Sequence, residues 1–321
     1  MLTFLISSIR LSAVFLFGST GEIITEKSGH LNLGIPGIMC VGAAGGYLGE
    51  ALYVSGNKGN NINWFLAIFI ALVFSLLFSA LMGLLYSFLT VTLRSNQNIT
   101  GLAITTFGVG ISKFVVHMLT AKGLTEHMAK GAVMFRTLFT FYPKLGWFGE
   151  LFLSYGILVY LAIIVAVITA LVLKKTRIGL SLRSVGENPA TADAVGINVG
   201  KYRYLATIIG SMIAGLGGLF YIMDYIGGNW EYCIDTYGWL AVALVIFTVW
   251  KPNFAIVGSL LFAGLYILPN YIGSVSTANK ELIKMLPYLV TIVVLVVTSK
   301  FGSKTIQPPQ SLGTNYFRED R

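Results

Sequence analysis

From residue 151 to residue 173 the chain reads LFLSYGILVYLAIIVAVITALVL, without one charged side chain. A helix rises 1.5 Å per residue, so roughly 20 apolar residues cross the ~30 Å hydrocarbon layer of a bilayer. A run of this kind belongs in lipid. Comparable stretches occupy 2–20, 31–54, 64–91, 100–119, 202–223, 237–250, 254–268 and 285–299. Together they predict an all-α, polytopic helical membrane protein of about nine transmembrane helices. A β-barrel would show alternating segments of roughly ten residues, and the sequence has none. Only 11% of the 321 residues are charged, against about 25% in an average soluble domain.

The formal net charge of +9 would point to nucleic acid in a soluble protein, but here the bases sit between apolar spans, where they orient the chain. With the N-terminus outside and the C-terminus cytoplasmic, inner segments hold 13 Lys and Arg, among them Lys27, Arg94, Lys251, Lys304, Arg318 and Arg321; outer segments hold 7, including Lys58 and Lys130. The loop 224–236 carries Asp224, Glu231 and Asp235 with no base and is expected outside. Arg10 and Lys113 fall within spans, and Arg10 must snorkel or the first span must begin later. The first span lacks a basic leader and cleavage site, so it is expected to be retained.

Two places interrupt the apolar pattern. Gly29-His30-Leu31-Asn32-Leu33-Gly34-Ile35-Pro36-Gly37 combines a missing backbone donor with three glycines. Around Lys251-Pro252-Asn253 two apolar segments each fall short of a crossing. Broken helices at membrane depth are tolerated where backbone lines a protected or watery cavity, and they point to a transport path; a kink that serves packing alone gives the same pattern. Gly42 and Gly46, and Gly210, Ala214 and Gly218, place small residues four apart for close helix contact.

The search for chemistry is mostly negative. There is no G-x-x-x-x-G-K-[ST] phosphate loop and no H-E-x-x-H; His30, His117 and His127 are scattered, Cys40 and Cys233 lack metal spacing, and Asn98-Ile99-Thr100 falls on the inner side, away from glycosylation. His30 is expected to be hydrogen-bonded and structural. Glu22, Glu26 and Glu50 lie near span ends and the central spans hold no carboxylate, so no internal proton relay is apparent. Energy must come from a partner, or the chain is passive.

The polar stretch 183–203, RSVGENPATADAVGINVGKYR, stands out against this background. Asn188-Pro189 is an N-cap followed by proline at the first helical position, and Gly196 is a suitable terminator after about two turns. Slim alanines at 190, 192 and 194 suit a partner's groove, although a solvated linker helix would look the same.

LRSVGENPATADAVGINV (182–199) and GEIITEKSGHLNLGIPGIM (21–39) closely resemble the permease subunits of bacterial ABC importers in the branched-chain amino acid and ribose permease superfamily, particularly the nucleoside or simple-sugar branch. The likeness extends through 204–228 and 239–264. It implies a transmembrane permease domain over 1–300 and a cytoplasmic tail over 301–321. Residues 174–203 become the cytoplasmic loop whose coupling helix docks on an ATPase, with Arg183, Glu187, Asn188, Pro189, Ala190, Asp193 and Gly196 as the coupling residues. The implied partners are an ATPase with two nucleotide-binding modules, a second homologous permease and an extracytoplasmic substrate-binding lipoprotein; this chain needs no cofactor or metal, because ATP is bound by the partner ATPase. The setting is the bacterial cytoplasmic membrane. Lys27 stands where arginine is frequent and Pro36 where an acidic residue often sits. Asn32, Asn98, Thr105, Thr106 and Phe107 are the candidates for the substrate path. Nucleosides lead as cargo, followed by riboflavin, simple sugars and amino acids; a self-contained secondary transporter is the alternative of a different class.

Overall fold

The computed structural model describes residues 1–57, 62–126, 128–136, 138–139, 141–272, 276–301, 307–317 and 319. His127, Lys58, Lys304, Arg318 and Arg321, counted above, lie outside these. The described chain is helical throughout, with no strand: α1 (Leu2–Glu26), α2 (Ile35–Gly56), α3 (Trp64–Ser87), α4 (Gln97–Ala121), α5 (Met128–Arg136), α6 (Gly146–Leu153), α7 (Ile157–Lys175), α8 (Arg177–Glu187), α9 (Pro189–Ala194), α10 (Val199–Phe220), α11 (Ile234–Phe247), α12 (Pro252–Ile267), α13 (Thr277–Lys284) and α14 (Leu286–Phe301). Wide turns Phe88–Thr92 and Tyr221–Tyr225 extend α3 and α10.

Seven of these, α1, α2, α3, α4, α7, α10 and α12, are long and apolar enough to cross a bilayer, with α3, α10 and α12 counted together with their extensions. The expected count of about nine is not confirmed by the length and composition of the described helices. α11 has 14 residues and α14 has 16, about 21 and 24 Å of helix, short of the ~30 Å hydrocarbon. The uncharged run 151–173 is also not one helix. The Tyr155 carbonyl accepts the Leu138 N–H at 3.2 Å, and Gly156 packs so closely on the Phe135 backbone and the Asp224 carboxylate that no side chain fits there. A segment folded back from 128–139 therefore splits the run into α6 and α7.

α2 and α10 form the axis, 89% and 72% buried, while α3 is 28% buried and turns most of its surface outward. The small-residue faces let backbones meet: a Cβ on Gly42 would come within 2.5 Å of the Gly215 Cα. α1 joins this axis through Gly21, whose backbone lies directly against that of Gly210, a position occupied best by glycine at a close approach.

α1 ends where Gly29 takes φ +78° and its N–H bonds the Glu26 carbonyl at 2.8 Å. After residues 27–34, α2 starts with Pro36 in its first turn. The second expected break lies between α11 and α12, where Val249 and Trp250 both sit at φ +55° and the Trp250 indole N–H donates to Glu26 Oε2.

Two charge expectations need correction. Asp224 is not in an outer loop but at the wide last turn of α10, fully buried, where its Oδ1 accepts Arg10 Nε at 2.8 Å. Arg10 is thereby paired rather than snorkelling, and it also donates to the Asp224 carbonyl at 2.9 Å. Arg136 donates to the same carbonyl at 3.1 Å, so α1, α5 and α10 are clamped together. The interior is also less poor in carboxylates than expected, because Glu22, Glu26, Glu50 and Asp224 are all buried.

Candidate coupling site and transport path

Asn188 alone separates α8 from α9 and residues 195–198 separate α9 from α10, and each of the three helices has its own side-chain N-cap. Thr176 Oγ1 accepts from Gly179 N–H at 3.1 Å, Asn188 Oδ1 from Thr191 N–H at 3.0 Å and Asn198 Oδ1 from Lys201 N–H at 2.9 Å. Such caps contribute about 1 kcal/mol each. α9 stops at Gly196, φ +89°, with the Ile197 N–H reaching back to the Ala192 carbonyl at 3.0 Å. Ala192 is buried against Val185 and Val199. Arg183, Glu187, Asn188, Ala190 and Gly196 are exposed, and Pro189 and Asp193 are half-buried. The result is a short rigid knob whose tip is Val195, 72% exposed. Val195 is absent from the sequence-based set; an apolar residue just before the terminating glycine was the available signal.

The end of α8 that carries the knob sits on residues 27–34. Gly186, next to the end of α8, packs its backbone on that of Lys27 and Gly29, too closely for a Cβ. Burial lowers the Lys27 pKa from its usual value, and Glu187 of the same α8 terminus opposes that shift. His30 is completely buried, with Nδ1 2.7 Å from Thr207 Oγ1 on α10 and Nε2 2.7 Å from Thr90 Oγ1. The Thr90 hydroxyl donates to the Tyr86 carbonyl at 2.6 Å, so it accepts from Nε2–H, and the Thr207 hydroxyl donates to Nδ1. The ring is neutral and structural.

Burial, with the Arg203 charge second, pushes the His30 pKa down from 6.5 to about 3. Between those values the unfolded chain binds the extra proton, so stability falls as pH drops through 6.5 toward 3, by up to about 1.4 kcal/mol per pH unit. A His30→Gln variant is expected to flatten the acid limb of the unfolding midpoint followed against pH in detergent. An unchanged acid limb would rule out this group as its source.

From this hub the contacts run on to α4. Leu31 N–H donates to Gln97 Oε1 at 2.8 Å, Asn32 N–H to Glu22 Oε1 at 3.0 Å, Gly34 N–H to Asn32 Oδ1 at 2.9 Å, and the Thr105 hydroxyl to the Leu33 carbonyl at 2.8 Å. Glu22 Oε2 and Asn32 Nδ2 are buried without a hydrogen-bond partner among the described residues. The five path candidates therefore divide. Asn32 and Thr105 are buried in the hub, whereas Asn98, Thr106 and Phe107 lie on the exposed face of α4.

That face continues through Gly110, Lys113 and His117. Ionisable groups within a span face protein or a watery cavity rather than lipid. The 106, 110, 113, 117 spacing is one helix face, readable from the sequence but missed. Beyond it is a small recess lined by Ser112, Lys113, Trp230, Glu231, Tyr232 and Asp235. Lys113 Nζ stands 5.9 Å from the Tyr232 ring centre, and the Trp230 indole N–H is buried without a partner among the described residues.

These features define a multi-pass membrane permease component. The family described as branched-chain amino acid transport system / permease component matches residues 4–295, and the chain belongs to it. It is similar to the nucleoside ABC transporter permease protein NupC of Lactococcus lactis subsp. cremoris, 31% identical with 96% of this chain and 94% of that protein covered. It is also similar to the guanosine ABC transporter permease protein NupQ of Bacillus subtilis, 30% identical over 97% and 95%. A permease protein of Haloferax volcanii, provisionally named for glucose, is 30% identical over 98% and 97%. The chain is thus a permease subunit of an ABC transporter, not an enzyme.

Proposed function

We propose that this chain forms, with a second homologous permease, the translocation path of an ATP-driven importer of nucleosides, coupled to a separate ATPase through α9. A lipoprotein outside the membrane delivers the cargo, and ATP stays on the ATPase. The observation that carries this reading is the continuous chain of contacts from the exposed knob, through residues 27–34, to Thr105 on α4. On this reading Arg183, Glu187, Asn188, Pro189, Ala190, Asp193 and Gly196 meet the ATPase, with Val195 at the tip. The face bearing α9 is then cytoplasmic, and Asn98, Thr106 and Phe107 border the path. Asn32 and Thr105 hold the hub behind it. The names of the Lactococcus and Bacillus relatives support nucleosides.

The Haloferax relative supports a second reading, a simple sugar. A secondary carrier is less well supported, because three of the four buried carboxylates are engaged, Glu26 by Trp250, Glu22 by the hub and Asp224 by Arg10, and Glu50 alone has neither oxygen bonded among the described residues. In proteoliposomes holding the full set of partners, guanosine uptake is expected to require ATP and to resist excess glucose. Thr106→Cys labelled with a bulky maleimide is expected to block it. Uptake by the isolated chain under an ion gradient alone would overturn the proposal.

A further inference from the structure

Residues 307–317, part of the tail expected over 301–321, lie as a strap across the face that carries α9. Ser311 N–H and Oγ donate to the Gly186 carbonyl at 3.0 and 2.6 Å, satisfying a last-turn carbonyl that α8 itself leaves open. Gly313 N–H donates to the Gly29 carbonyl at 3.3 Å. The Thr314 carbonyl accepts from Arg203 Nη1 at 2.9 Å and Gln97 Nε2 at 3.3 Å. Asn315 Oδ1 accepts from Gln97 Nε2 at 3.1 Å, and its Nδ2 donates to the Arg94 carbonyl at 2.8 Å. The Tyr316 hydroxyl donates to Asp193 Oδ2 on α9 at 2.9 Å, and its ring packs on the Val185, Ala192 and Val199 cluster. Arg94 covers the Phe317 ring at 4.7 Å.

α9 is six residues long and buries Ala192 alone, whereas an isolated helix shorter than about 12 residues is marginal in water. Its direction is therefore set by what grips it from outside. The strap touches α9 at one end through Tyr316 and the turn into α4 at the other, where Asn315 meets Arg94 and Gln97 and Phe317 lies under Arg94. We infer that residues 307–317 are a second transmission element, in which Tyr316 positions Asp193 and Asn315 passes displacement of α9 to the start of α4, running alongside residues 27–34 and meeting them at Gly29. This rests on the coupling role proposed for α9.

The test uses the whole transporter complex carrying Thr106→Cys and follows its labelling by a membrane-impermeant maleimide with and without ATP plus vanadate. The parent complex is expected to change labelling rate on trapping. Tyr316→Phe and Asn315→Ala are each expected to reduce that change at least threefold while ATPase co-purification and the thermal midpoint stay at parental values. An undiminished change in both variants overturns the strap proposal, as does a loss matched by reduced co-purification or a lower midpoint, which marks a merely structural role. A Gly/Ser replacement of 188–196 in the same assay separates the two ideas. If it removes the response and the strap variants do not, only the strap proposal fails; if it leaves the response intact, coupling through α9 fails with it.

Discussion

Replacing residues 188–196 with a Gly/Ser linker is expected to bring ATP-driven uptake down to its ATP-free level. The loss should be of the order of 100-fold, as when a central interface contact worth about 2–4 kcal/mol is removed. The fold itself should lose little, because α9 contributes one cap of about 1 kcal/mol and buries one alanine. Expression, detergent stability and the retention of ATPase on the purified permease separate these effects. A stable permease that no longer retains ATPase or couples uptake is the expected outcome. Full uptake with the linker in place would remove α9 from the mechanism.

The second large effect is one of stability. At Gly210 a side chain would strike the Gly21 carbonyl and Thr25 Oγ1, and at Gly21 it would strike Gly210 and lie 3.0 Å from the Ala214 nitrogen. Most of these obstacles are backbone, which cannot rotate away, so α1 and α10 must separate along their contact. Overpacking of this kind costs typically 1–3 kcal/mol and occasionally more. For Gly210→Leu we expect about 3 kcal/mol or more, read as a large fall in folded yield and unfolding midpoint. Gly110→Ala, on the exposed face of α4 with open space around it, should leave both unchanged. Equal behaviour of the two variants would mean that the α1–α10 contact is looser than described.

Local chemistry in the sequence identifies the breaks after Glu26 and before Pro252, the cap at Asn188 and the close-contact glycines, since each depends on a few neighbouring residues. Hydropathy fails where distant segments decide. Nothing near 154–156 announces that Phe135 and Asp224 will crowd Gly156, and Arg10 finds a partner 214 positions away. The strap is invisible for the same reason, because Tyr316 and Asp193 are 123 residues apart. For the path, residue type suggested Thr105 and Thr106 alike. Only the helix rotation separates them, turning one into the hub and the other outward.

α1 is pinned at both ends and closely seated between them: Arg10 is held by Asp224, Glu26 by Trp250, and Gly21 rests on Gly210. An unbroken helix held at three points in this way moves as one body. Arg10 and Glu26 lie roughly 24 Å apart at 1.5 Å per residue, so a displacement beside Trp250 reaches the Arg10–Asp224 pair only by shifting the whole of α1 against Gly210.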